Sequence, residues 1–441
     1  MTAHMEKNDM IRVLNENHTD FLSLQFTDIP GSFKNVTISA DQIEKAFNNK
    51  CMFDGSSMEG FVRIQESDMY LHPDPDTFLI YPWNTQSGQA ARLICEIALP
   101  DGTPYAGDPR HVLKRALKKA ADQGFTFFVG TECEFYLFQT DELGHPTTET
   151  NDTAGYFDLG PLDQGENARR DICLNLEQMG YEIEASHHEA AFGQHEIDFK
   201  YAEALTAADR FVTFKMVVKS CANENGLYAT FMPKPVYGRA GSGMHINLSL
   251  FRDGQNAFYD ESSQNGLSHI ALNFIAGLLL HIKSICAVTN PLVNSYKRII
   301  PGGEEAPSLV GWSANRRGTL IRLPASRGKS TRIDLRNPDP TCNPYLSFAL
   351  LLSAGMDGIN RDLLPPPSIA SGESFEKIQK NTDVLPADLG EAVQFMKSDP
   401  FVKEVLGDLV FHKYVEAKEE EWRQYSTSVT EWELRRYLNR L

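Results

Sequence analysis

Five carboxylates and one histidine stand where β-strands would aim them toward a common point. In the segment Phe125 to Phe138, Phe125, Phe127, Val129, Cys133, Phe135 and Leu137 are apolar, with Thr131 the exception, and Glu132 and Glu134 take alternate positions. Side chains two apart leave a strand on the same side, so both carboxylates share one face while the other face packs. Gly243 to Phe251 repeats this, with Met244, Ile246, Leu248 and Leu250 opposite His245, Asn247 and Ser249. In Thr331 to Arg336, Ile333 and Leu335 oppose Arg332, Asp334 and Arg336; in Thr319 to Leu323, Arg322 opposes Ile321 and Leu323. The run from His187-His188-Glu189 to Gln194-His195-Glu196 adds Glu189 and Glu196. An antiparallel sheet with one solvated face would alternate in the same way, but such faces favour Lys, Thr and Ser over Glu, His, Asp and Arg. Converging carboxylates repel unless a cation sits among them. An oxygen-rich set with one His suits Mg²⁺ or Mn²⁺ better than Zn²⁺.

Nucleotide signals are less direct. Gly328-Lys329-Ser330 lacks the upstream glycine of a phosphate-binding P-loop, since Leu323 stands there, and no dinucleotide glycine fingerprint occurs. The Gly241-Ser242-Gly243 turn before His245 lets backbone approach a ligand, or serves as a plain hairpin loop.

The elements that must hold these residues fall into two parts. Up to about residue 105, strand-like runs such as Phe21 to Phe26 and Arg92 to Leu99 alternate with breaks at Pro73, Pro75, Pro100-Asp101-Gly102 and Gly107. Asp108-Pro109 then opens a helix, as an N-cap followed by proline at the first helical position, and Gly124 stops it. Further helices are predicted at about 165–179, 204–225, 266–289 and 343–356, with a charged helical stretch from Pro400. The chain reads as α+β, with an N-terminal domain at 1–105 and a larger domain at 106–441.

The whole chain sets limits. Its 441 residues suit two or three domains. With 42 basic and 59 acidic residues the net charge is −17, which excludes broad nucleic-acid binding and a polybasic membrane patch. Seven dispersed cysteines, without a C-x-x-C pair, suit buried thiols in a reducing cytoplasm. Met1 to Leu14 lacks the apolar core of a signal peptide. The most apolar stretch, Ile270 to Val288, is interrupted by Asn273, His281 and Lys283 and reads as a buried helix rather than a membrane span.

Several longer runs resemble bacterial type I glutamine synthetase. These are Phe53-Asp54-Gly55-Ser56-Ser57, Gly130 to Glu134, His187 to Glu196, Lys234-Pro235 through Gly241-Ser242-Gly243-Met244-His245 to Ser249, Asn294 to Arg298, and Asp339-Pro340 with Asn343-Pro344-Tyr345. The resemblance covers nearly the whole chain in order. It implies an N-terminal β-grasp-like domain and a catalytic domain whose antiparallel strands line a funnel. It also implies a dodecamer of two stacked hexameric rings with active sites between neighbouring subunits. ATP, L-glutamate and ammonium are the implied substrates. By motif match, one divalent metal is held by Glu134, Glu189 and Glu196, and a second by Glu132, His245 and Asp334. Glu184, Asn247, Ser249, Arg317 and Arg322 match nucleotide-contacting positions. Gly241, Arg298 and Arg336 match positions around the glutamate, and Arg317 and Arg336 lie near the transferring phosphate. Asp54, reaching a neighbour's site, resembles the residue that takes a proton from ammonium, and Glu305 resembles the flap carboxylate that shields the intermediate. Arg63 matches a subclass inhibited by glutamine, and no tyrosine stands in Ala370 to Leu385 to serve as an adenylylation site.

Departures from the pattern cluster near the chemistry. The flap, Pro301-Gly302-Gly303-Glu304-Glu305-Ala306-Pro307, is one residue longer than usual and lacks its tyrosine, so Glu304 competes with Glu305 for the role. Asp334 replaces a glutamate; one missing methylene shortens its reach by roughly 1.5 Å, against a tolerance of about 0.2 Å in metal–ligand distances. Ala240 replaces an asparagine beside the glutamate. These changes leave two other readings open: a ligase joining glutamate to a larger amine, and a non-catalytic regulatory relative.

Overall fold

The computed structural model describes residues 5–55, 68–83, 88–263, 265–300, 307–314, 316, 318–370, 377–378 and 382–440. Arg63, Glu304, Glu305 and Arg317 lie outside these residues.

The first part of the chain forms a six-stranded sheet. Its strands are β1 (Thr19–Thr27), β2 (Phe33–Ser39), β3 (Cys51–Asp54), β4 (Asp68–Pro73), β5 (Leu79–Ile80) and β6 (Gln89–Ala98), in the order β2-β1-β6-β4-β3 with β5 also on β6. β1 and β6 run parallel and the other pairs antiparallel. Leu22, Leu24, Leu71, Leu93 and Ile97 bury one face under helix α1 (Lys7–Glu16) and the short α2 (Ile43–Phe47), which contribute Met10, Leu14, Ile43 and Ala46.

The second part is organised by an eleven-stranded sheet. Along it run β7 (Thr126–Thr140), β9 (Ile183–His188), β10 (Gln194–Phe199), β13 (Met244–Arg252), β15 (Trp312–Ser313), β16 (Ile321–Arg322) and β17 (Ile333–Leu335), in the order β15-β16-β17-β13-β7-β10-β9. The short strands β8 (Pro146–Thr150), β11 (Ala202–Glu203) and β12 (Leu227–Thr230) also pair with β7, and β14 (Gln255–Asn256) pairs with β13. The alternation expected along β7 is realised: Phe127, Val129, Cys133, Phe135 and Leu137 are buried in the main core while Glu132 and Glu134 leave the opposite face half-buried.

Helices α3 (Pro109–Ala121), α4 (Glu166–Gln178), α5 (Ala204–Glu224), α6 (His269–Thr289) and α7 (Pro344–Asn360) contribute to this core. Local chemistry sets their starts. The Asp108 carboxylate accepts the Arg110 amide at 2.9 Å, Ser268 caps α6, and Asn343 caps α7 ahead of Pro344. The Ser268 cap places the start of α6 three residues after the predicted 266. By length and composition α6 would span a bilayer, but most of it is buried against its neighbours. Its contact with α7 is close enough that a Cβ on Gly358 would lie 2.0 Å from the Asn273 carbonyl oxygen, and one on Gly277 2.0 Å from that of Ala354. The charged C-terminal stretch forms α8 (Leu389–Ser398), α9 (Pro400–Leu406), α10 (Asp408–Thr427) and α11 (Glu431–Tyr437).

One buried cation ties the two parts together. Arg110, 3 % exposed, is paired with Asp74 at 2.6 Å and reaches Glu96 at 3.4 Å in the first part, and binds Asp209 of α5 at 2.9 Å in the second. The Tyr345 hydroxyl donates to the same Asp209 at 2.7 Å. Nearby, the Asn343 amide donates to the carbonyls of Asp28 and Ile29 in the β1–β2 turn, each at 3.1 Å.

Candidate active site

β7 is the axis of the site. Glu134 stands opposite Glu196 of β10, and Glu132 lies between Asp198 of β10 and His245 of β13. One Glu134 oxygen accepts from the Gln194 side-chain amide and from the Gly243 backbone N–H, both at 2.9 Å. Glu189 follows β9 in the tight connection to β10, where its carboxylate accepts the Ala190 amide at 2.9 Å. Ligand oxygens of Glu134, Glu189 and Glu196 all lie within 4.8 Å of one another. The structure therefore brings together the three carboxylates that the sequence grouped.

Their electrostatics follow from the crowding. Burial, then the charges of Glu134, Glu189 and Glu132, push the Glu196 carboxyl up to about 9. Burial and Glu134 raise Glu189 to about 7. Asp198, beside them on the same face of β10, is raised to about 9 by burial, Glu196 and Glu132. Glu132 goes the other way, to about 2: burial opposes ionisation, but hydrogen bonds and charge from His245, with Asn247 and Arg332, outweigh it. Crowded, buried carboxyls that favour the protonated form, as Glu189 and Glu196 do, are ones whose protons a divalent cation can replace. The oxygen donors fit Mg²⁺ or Mn²⁺.

The second expected ligand set is assembled only in part. His245 Nδ1 lies 3.3 Å from Glu132, but Asp334 turns to arginine. Its Oδ2 is 3.3 Å from Arg336 Nη1 and 3.9 Å from Arg322 Nε, and its Oδ1 is buried without a hydrogen-bond partner. Among the described residues, no metal-spaced group of three includes Asp334. The short side chain places its carboxylate by the neighbouring guanidinium, and the orphan oxygen is an acceptor for a further donor or cation.

Beside Glu132 opens a cavity of about 330 Å³, lined by Glu184, Asp198, Tyr201, Asn247, Ser249 and Arg332 among others. Gly130 forms part of its wall because Tyr201 leaves room for little more; a Cβ there would stand 3.2 Å from the tyrosine Cβ. Arg332 Nε donates to Asn247 Oδ1 at 2.9 Å, and the Asn247 amide donates to Glu132 at 2.8 Å, linking this cavity to the carboxylates. A wider groove of about 960 Å³ lies along α10, but its charges are already paired, as in Lys397–Glu419 at 2.6 Å and Lys413–Glu416 at 2.9 Å.

The remaining predicted residues are dispersed. Arg298 is buried beneath the Gly241–Gly243 turn, and its guanidinium donates to the carbonyls of Asn337, Pro338 and Arg336. A Cβ at Gly243 would meet Arg298 Nη2 at 2.3 Å, so the glycine is needed for this contact. The Gly241 carbonyl accepts from Gln194 at 3.2 Å. Ala240 packs with Tyr136 and Phe138, and the Tyr136 hydroxyl donates to its carbonyl at 2.5 Å. Asp54 ends β3 on an exposed edge of the N-terminal sheet and lines neither the acidic group nor the cavity of its own chain. Asp198 and Tyr201 were not singled out from sequence. Carrying the alternation Gln194, Glu196, Asp198 one step further finds the first; Tyr201 carries no comparable signal.

Comparison with known proteins identifies the family of both parts of the chain. Residues 18–100 match the model for the glutamine synthetase β-grasp domain, and residues 106–437 that for the glutamine synthetase catalytic domain. The chain is 57 % identical to a glutamine synthetase of Clostridium saccharobutylicum over 99 % of this chain and all of that one. It is 52 % identical to the Methanosarcina mazei enzyme of the same name, over 99 % of this chain and 98 % of the relative. Among solved structures it superposes on a GmaS/ADP complex with a TM-score of 0.89 and 32 % identity, each chain covered in full. It shares its fold with Plasmodium falciparum glutamine synthetase at a TM-score of 0.88 and 23 % identity, over 98 % of this chain and 99 % of the other. The chain, from its β-grasp sheet to the carboxylates lined up on β7, belongs to the glutamine synthetase family.

Proposed function

We propose that the protein ligates ammonia to the γ-carboxylate of L-glutamate at the expense of ATP, through γ-glutamyl phosphate, releasing glutamine, ADP and phosphate. The observation that carries this is the grouping of Glu134, Glu189 and Glu196, with Glu132, its neighbour His245 and the cavity two residues along β7. Two divalent cations bound there would neutralise phosphate charge during transfer. Glu134, Glu189 and Glu196 would hold one, and Glu132 and His245, with Asp334 at longer range, the other. The Glu132 side of the site would receive the nucleotide, with Glu184, Asn247, Ser249 and Arg322 along it and Arg317 and Arg336 nearer the transferred phosphate. Glutamate would lie at the Gly241 side. Arg298, which matches a glutamate-contacting position, would also shape that end by supporting the glycine turn, through three hydrogen bonds to backbone carbonyls.

Ammonium is not nucleophilic until it loses a proton. Asp54 supplies a carboxylate for that proton, and its place on an exposed edge of the N-terminal sheet suits delivery into a neighbouring copy rather than its own site. Glu305 of the flap would exclude water from the acyl phosphate. Arg63 would answer to glutamine as a feedback signal. A closed ring assembly, in the family's case a dodecamer, follows from that sharing. A cytoplasmic location accords with seven free cysteines, six of them buried.

Ammonium is favoured over larger amines because relatives named glutamine synthetase match at 52–57 % identity over nearly the whole chain. The test is ADP release with glutamate, ATP and either Mg²⁺ or Mn²⁺, offering ammonium, methylamine or a polyamine in turn. Turnover with an amine and none with ammonium would refute the assignment. Binding of nucleotide without turnover under every condition would leave a regulatory relative.

A further inference from the structure

Behind the acidic face lies a set of charged side chains with almost no exposure that the reaction does not use. His188 and Asp152 have side chains that are wholly buried. His188 Nδ1 lies 2.7 Å from the backbone carbonyl of Glu189, and Nε2 lies 3.2 and 3.3 Å from the two oxygens of Asp152. Both ring nitrogens thus face groups that only accept, an arrangement satisfied by a doubly protonated ring opposite an ionised Asp152. Asp152 also accepts the Gly193 amide at 2.9 Å. It accepts the Gln164 amide as well, at 3.4 Å, while His188 and Gly193 bracket the connection from β9 to β10, residues 189–193, which sets the spacing between Glu189 and Glu196. From the other side, Gln194 holds the Ala191 amide at 3.2 Å and Glu134 at 2.9 Å.

We propose that Asp152 is a positioning residue for cation binding, fixing Glu189 against Glu134 and Glu196 through His188 and the Gly193 amide. The inference rests on the cation reading of those three carboxylates. Residues that orient metal ligands from behind typically change metal affinity by about 10- to 100-fold when removed. Three carboxylates that repel one another need such a support, because without it Glu189 would swing toward solvent. Loss of Asp152 leaves the turn free to relax, because His188 Nε2 and the Gly193 amide both lose their acceptor.

The experiment is an EPR titration of Mn²⁺ into the full-length protein without substrates, comparing the parent with Asp152→Asn and His188→Gln, with circular dichroism as the check on folding. The parent is expected to show two classes of bound Mn²⁺. Both variants should weaken the class assigned to Glu134, Glu189 and Glu196 about 10- to 100-fold and leave the Glu132–His245 class unchanged. Glu132→Ala identifies which class is which. Equal weakening of both classes, or no change in either, would overturn the positioning role. Loss of folding in both variants would overturn it too, assigning the pair to the fold alone. Absence of bound Mn²⁺ in the parent would instead sink the cation reading itself, and this inference with it.

Discussion

Replacing Glu196 by glutamine should make the metal-free protein more stable while removing its response to metal. Glu196 is buried, and its carboxyl is raised from 4.5 to about 9 by burial and by Glu134, Glu189 and Glu132. An acid whose pKa is higher in the folded state favours folding fully only below its unfolded value. That contribution is lost as pH rises from about 4.5 toward 9. At pH 7 the folded carboxyl is still protonated while the unfolded one is ionised. At roughly 1.4 kcal/mol per pH unit, about 3 kcal/mol of stability is forgone relative to a neutral group of the same shape. Glutamine is that group. Glu196→Gln should therefore raise the denaturation midpoint in EDTA at pH 7 by several degrees and widen the gap at pH 8. The parent should gain stability on adding Mn²⁺, increasingly so from pH 7 to 9 as proton competition falls, and the variant should gain little. Differential scanning fluorimetry in EDTA and in Mn²⁺ across pH 6–9 reads both effects. A variant less stable than the parent in EDTA, or one with an undiminished Mn²⁺ shift, would refute the electrostatic account.

Three further outcomes follow from the geometry. Asp334→Glu should tighten the weaker Mn²⁺ class by restoring reach past Arg336; a clear loss in the same EPR titration would mean that the site is built around aspartate. Asp54→Ala should cut the rate of glutamine formation at least tenfold while leaving the ATP KM near its parent value, and matched losses in both would remove its assigned role. Gly358→Ala should destabilise the protein by about 2 kcal/mol or more, because the added methyl meets the Asn273 carbonyl across the α6–α7 crossing; a melt indistinguishable from the parent would show that the helices can part.

Strand alternation made much of the site legible from sequence. Glu132 with Glu134, and His245 with Asn247, are pairs whose shared side follows from period two alone, and the residues between them are buried on the other face. Helix starts were legible where a side chain closes the first turn, as at Asp108 and Asn343. What stayed hidden depends on contacts between distant segments. No spacing rule shows that Arg298 also braces three backbone carbonyls 38 to 40 residues on. Nor does spacing show that Asp334 also faces Arg336 and Arg322. His188 and Asp152 are 36 residues apart and meet only because the chain folds back beneath the β9–β10 connection. The strands at Thr319–Leu323 and Thr331–Arg336 shrink to two and three residues, as the Gly328–Ser330 turn takes the chain between them.

The guanidinium of Arg110 bears on how the protein can move. It gathers anions from both halves of the chain, so swinging those halves apart would keep its bond to Asp209 but break the pair with Asp74 and part it from Glu96. Hinge opening between the halves is thereby disfavoured.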